Sequence, residues 1–190
     1  MKGRWRRWCA RLRALRRARR GAVAVEMAVT APVLLVLLLG TLDVGWRLLA
    51  EYRVQRAAAT LADLVARVRT LGESDVDNAF DALRGLASPF DLVRDGGALV
   101  SGVRADGAGV PVVAWQREAD FGLDLPSRVG RPGQRADLGD TALDPGEAVI
   151  VAEVFLRFRP LVGFLPGGER LLYVRWIAAP RYGSLDDPSS

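Results

Sequence analysis

Residues 16–47 constrain this chain more than any other stretch: RRARRGAVAVEMAVTAPVLLVLLLGTLDVGWR. A basic cluster meets Gly21, and a nearly pure apolar run then extends from Ala22 to Leu42 before Asp43 ends it. About 21 residues in a helix cover roughly 30 Å, the thickness of a hydrocarbon core. A lone segment in lipid must satisfy its own backbone hydrogen bonds, so the run predicts a single membrane-spanning helix. Pro32 removes one of those bonds, which membrane helices tolerate with a kink. Lys2 and nine arginines precede Gly21 with no acid among them. That flank predicts a cytoplasmic N-terminus and an exported remainder.

The chain has 190 residues and a net charge of +5, spread unevenly. Apart from the ten basic groups of the first 20 residues, 17 basic face 22 acidic side chains. The exported body is therefore mildly acidic, which argues against a nucleic-acid partner; beside an apolar span, a basic run reads as a topology determinant. The one cysteine, Cys9, lies in the basic leader, so no disulfide is expected in the body. Without histidine, Ser–His–Asp and Cys–His mechanisms are excluded, as are histidine metal sites.

Glu26 is the informative residue of the span. A carboxylate costs roughly 2–4 kcal/mol near mid-bilayer and less about one turn from the interface, so a snorkelling acid without a role is one reading. The sharper reading takes the whole pattern: basic residues, Gly21, four residues, Glu26, then an unbroken apolar run. This is similar to the type IV prepilin pattern. Cleavage would fall between Gly21 and Ala22 on the cytoplasmic side, making Glu26 the fifth mature residue. Its carboxylate would then pair with the new α-amine of a neighbouring subunit, since a buried charge is tolerable when paired. A conventional secretory signal has a shorter apolar core and small residues after it, and Gly40-Thr41 fits that poorly. An uncleaved anchor also remains open.

Beyond Asp43 the helical period continues. Leu48, Leu49, Tyr52, Ala58, Leu61, Val65, Val68 and Leu71 recur at spacings of three and four and predict one apolar face on a helix from about Ala22 to Thr70. Arg47/Glu51 and Asp63/Arg67, four apart and opposite in sign, give it weak support. Gly40 and Gly45 soften the helix, and Gly72 stops it. Ser74, with Asp77 three residues on, predicts a capped second helix with Val76, Phe80, Leu83 and Ala87 as its stripe, ended by Ser88-Pro89. The period then changes to two. Strands are expected at 98–105, 110–118, 148–159 and 171–178. In the third, Ile150, Ala152, Val154, Leu156 and Phe158 share one face, while Glu153, Arg157 and Arg159 face the other way. An antiparallel meander with one face on the helix is the economical packing. The stretch 123–146 reads as loop, broken by Pro126, Gly130, Pro132, Gly133, Gly139, Pro145 and Gly146.

Three stretches together resemble the TadE-like minor pilins, or pseudopilins, of tight-adherence (Flp-type) pilus systems. The first is Arg20-Gly21-Ala22-Val23-Ala24-Val25-Glu26 with Ala31-Pro32-Val33 and Asp43-Val44-Gly45. The second is Gln55-Arg56-Ala57-Ala58-Ala59 through Ala62-Asp63-Leu64-Val65-Ala66-Arg67. The third runs from Val151-Ala152-Glu153-Val154 into Phe158-Arg159-Pro160-Leu161 and closes on Pro180-Arg181-Tyr182. The resemblance implies a prepilin peptidase acting at Gly21-Ala22, an assembly role for Glu26, and other pilins, pseudopilins and assembly-machinery proteins as partners. Met27 stands where the family's processing motif commonly carries an aromatic residue.

The expected fold is α+β: a leader over 1–21, a span over 22–42, extracytoplasmic helices over 43–88, an antiparallel β domain over 89–183 and a polar tail over 184–190. The expected role is pilus assembly from the inner membrane, without enzymatic activity, cofactor or metal. The competing reading is an unprocessed single-pass envelope or secretion assembly protein, TadG-like, that never enters a filament. An anchored enzyme would have to draw on Glu118, Asp120, Asp124, Asp137 and Asp140, which sit among Gly and Pro without fixed spacing and read as exposed loop acids. Ala22, Ala24, Ala28 and Ala31 line up as a seam for close helix packing.

Overall fold

The computed structural model describes residues 19–68, 72–163 and 167–181. The leader before Arg19, the helix end expected at Thr70, Leu71, Pro166, Tyr182 and the tail after Gly183 lie outside the described residues. Two long elements dominate: a 48-residue helix, α1 (Arg19–Ala66), and a four-stranded antiparallel sheet. Between them come α2 (Glu73–Leu86) and a single turn, α3 (Leu92–Asp95). The strands are β1 (Gly96–Ala105), β2 (Pro111–Glu118), β3 (Ala148–Phe158) and β4 (Arg170–Ala178). The fold is α+β, as the change of period from 3.6 to two implied.

α1 is unbroken through Pro32, Gly40 and Gly45. Its C-terminal half lies on β3 and β4, with α2 alongside. The buried face runs through Ala50, Val54, Ala57, Ala58, Leu61, Ala62, Val65 and Ala66. Leu48 and Tyr52, expected on this face, are instead 59% and 55% exposed. Alanine, not residue size, marks the contact, because small side chains let the helix axis approach the sheet. α1 ends at Ala66 because the chain leaving β4 meets it: the Arg181 amide donates to the Ala66 carbonyl (2.9 Å), and its guanidinium reaches Asp63 (3.0 Å).

α2 buries its expected stripe of Val76, Phe80, Leu83 and Ala87. Its cap differs from the expected Ser74/Asp77 pair. The helix starts after Gly72, and Asp75 reaches back to accept from the Gly72 amide at 3.1 Å. A carboxylate three residues past the cap is what that first turn requires. α3, which the strand pattern hid, is capped by Asp91 accepting from the Arg94 amide at 3.1 Å.

The strand order is β2-β1-β3-β4, not the meander expected. β1–β2 and β3–β4 are hairpins, and β3 pairs with β1 on the side away from β2. The chain from 119 to 147 must therefore pass across the sheet to reach β3. It does so over the face that α1 leaves bare. Val129, Ala136, Leu138 and Leu143 from this crossing bury against Val103, Val113, Val149 and Val151. The sheet is thus covered on both faces, which is why β1 and β3 are buried almost throughout. A bulge between Gly102 and Val103 seats the Trp115 indole on Gly102, where any Cβ would overlap the ring.

Candidate functional site

Up to Leu38, α1 is exposed among the described residues. Its large apolar side chains from Val23 to Leu38 are exposed along the whole stretch, and none of its most apolar window is buried. By length and composition this helix can cross a membrane, and it is the one such helix among the described residues. Gly21, Ala22 and Glu26 lie on its first turns, all exposed. Ala22 and Glu26 are four apart and so share a helix face. Glu26 makes no hydrogen bond or ion pair among the described residues. A Cβ at Gly21 would meet nothing within 4 Å, so no contact among the described residues demands glycine there. Towards its C-terminal end the helix passes from bare to buried, and the match to known proteins spans both halves. Residues 21–63 match the family of TadE-like proteins. No curated protein and no solved structure matched the chain. The TadE-like family is a pilus-associated structural family, and the matched residues all lie within the long helix α1.

The TadE-like segment changes environment at Asp43. This carboxylate, expected only to end the apolar run, is buried, and accepts a hydrogen bond from the Val162 amide at 2.8 Å. The turn after β3 is thereby fixed to the helix one residue beyond the span. One turn later, Trp46 packs on Phe90 with ring centroids 4.9 Å apart, and Phe90 meets Phe158 at 6.5 Å. Arg47 and Glu51 pair at 2.9 Å, as their spacing predicted, and so do Asp63 and Arg67. The Arg67 guanidinium holds the Asp63 carboxyl below its usual range.

A second polar cluster lies behind the sheet. Glu153, expected to face solvent with Arg157 and Arg159, is completely buried. It accepts from the Ser127 hydroxyl, from the Arg128 amide (2.9 Å) and from the Tyr173 hydroxyl (2.9 Å). The Arg128 guanidinium stacks 4.3 Å from the Tyr173 ring centroid. Burial, and then the neighbouring Glu153 charge, push the Tyr173 hydroxyl well above its usual pKa. Three donors converging on one carboxylate tie the crossing segment to β3 and β4. The signal for this burial was in the sequence. Val149, Val151 and Phe155 share the face of Glu153, so 148–156 is apolar on both faces, as in strands covered on both sides.

Glu118, Asp120, Asp124, Asp137 and Asp140 are exposed, and no group of three metal-ligating side chains occurs among the described residues. Burial and the nearby Asp124 raise the Glu118 carboxyl. Asp137 serves the crossing segment: its side chain accepts from the Gly139 amide (2.9 Å), and its carbonyl accepts from Arg175 (2.7 Å). Gly167-Gly168-Glu169 forms a turn, with Glu169 pairing with Arg159 at 3.0 Å.

Proposed function

We propose that this protein is a minor pilin-like subunit of a tight-adherence pilus, held in the inner membrane with its C-terminal domain outside the cytoplasm. In this reading a prepilin peptidase cleaves between Gly21 and Ala22, and Glu26 then pairs with the α-amine of a neighbouring pilin or pseudopilin. One observation carries it: a TadE-like helix whose most apolar stretch is unburied among the described residues, with a lone carboxylate near its start. Apolar surface of this kind demands lipid or another helix, and a carboxylate within it demands a cation. The open surroundings of Gly21 support a requirement set by a peptidase rather than by folding.

Mass spectrometry of the mature N-terminus tests the reading. A chain beginning at Ala22 supports it; a retained leader favours the TadG-like anchor outside any filament. Glu26→Ala is expected to insert normally into the membrane while lowering pilus number. Unchanged pilus assembly in that variant would remove the role assigned to this carboxylate.

A further inference from the structure

Outside the span, exposed large apolar side chains gather where the helix leaves lipid. Val44 and Leu48 on α1 remain uncovered, and Leu161 and Val162, in the turn after β3, are 58% and 45% exposed. Val162 is tied to the helix, because its amide is bonded to Asp43, one residue past the end of the apolar run. The half-buried Leu39 and Gly40 show that cover on the helix already begins about one turn before Asp43. Residues 161 and 162 therefore sit at the depth of the outer interface whenever α1 spans a bilayer. Between turn and helix lies a cleft of about 300 Å³, lined by Val44, Leu48, Phe158 and Pro160 together with Asp43, Arg170 and the Arg47–Glu51 pair. Apolar walls edged by charged groups of both signs suit the boundary between lipid headgroups and the upper acyl chains.

We propose that the turn after β3 is a second membrane contact: Leu161 and Val162 rest in the headgroup layer of the outer leaflet, with a phospholipid in the cleft beside Val44 and Leu48. The occupant is lipid because the patch is continuous with the span and lies at its edge. The domain is then held against the bilayer at two points, α1 and this turn, and cannot rotate freely about the helix. The proposal rests on the membrane-spanning reading of α1.

The test uses the full chain in phosphatidylethanolamine–phosphatidylglycerol vesicles. With Cys9→Ser removing the natural thiol, Leu161→Cys, Val162→Cys and Ala108→Cys each carry an environment-sensitive fluorophore. Ala108 lies in the β1–β2 turn, at the opposite end of the strands. Probes at 161 and 162 are expected to be quenched by lipids carrying a spin label high on the acyl chain, and several-fold less by aqueous iodide than the probe at 108. Iodide quenching equal to that at 108 overturns the proposal. Protection from both quenchers overturns it too, since a protein partner then covers the turn. Vesicle flotation separates the two readings: protein that floats with an iodide-accessible turn refutes only the second contact, while protein that does not float refutes the span itself.

Discussion

The two halves of α1 are built from one continuous helix and meet opposite fates. From Val23 to Leu38 the large side chains are aliphatic and exposed among the described residues. From Asp43 to Ala66 the inward face is largely alanine, and there it is fully buried against the sheet and α2. The difference teaches what each half is for. Bulky Leu and Val maximise apolar surface towards lipid. Alanine gives up that surface to bring backbone close to backbone, where dispersion contacts are dense.

Substitutions can sharpen or break this contrast. Leu61→Ala opens a cavity under the sheet and is expected to cost about 3 kcal/mol of domain stability, whereas Leu35→Ala in the bare half should cost less than about 0.5 kcal/mol. Denaturant unfolding of the detergent-solubilised chain measures both; equal losses would mean that the halves are not energetically distinct. Glu153→Ala leaves the Ser127 hydroxyl, the Arg128 amide and the Tyr173 hydroxyl without their acceptor, at an expected cost of about 2–3 kcal/mol. Protease sensitivity within 119–147 should rise in that variant while α1 stays protected.

A smaller effect follows from Tyr173, whose folded-state pKa is raised above its ordinary value of about 10. The unfolded chain releases this proton first. The stabilisation is therefore complete below about pH 10 and is lost as pH climbs towards the raised native value. Tyr173→Phe should flatten that alkaline decline, as followed by circular dichroism between neutral and strongly alkaline pH. The smallest effect belongs to the exposed Arg47–Glu51 pair, where Arg47→Ala should change stability by no more than about 0.5 kcal/mol.

Periodicity exposed the elements better than it exposed their neighbours. The strands, the stripe of α2 and both ion pairs on α1 could be read from spacing, because each depends on residues close in sequence. Leu48 and Tyr52 depart from the face that hydrophobic size predicts, because the contact here selects small side chains. Glu153 was placed in solvent because its cover, 119–147, has no period of its own. The meander failed for the same reason: a crossing segment rich in Gly and Pro looks like a surface loop until its Val129, Leu138 and Leu143 are seen against the sheet. At Gly21, Ala22 and Glu26 the sequence carried the pattern, and the fold adds their exposure on the first turns of α1.

The unbroken course of α1 has a mechanical consequence. Its 48 residues form a shaft about 70 Å long, with no joint at the boundary between lipid and domain. Any lean imposed on the buried end is inherited by the cargo at the other. A lean of about 20° would sweep the tip of the outer half sideways by about 12 Å. Whatever changes how the shaft stands would thereby steer what it carries.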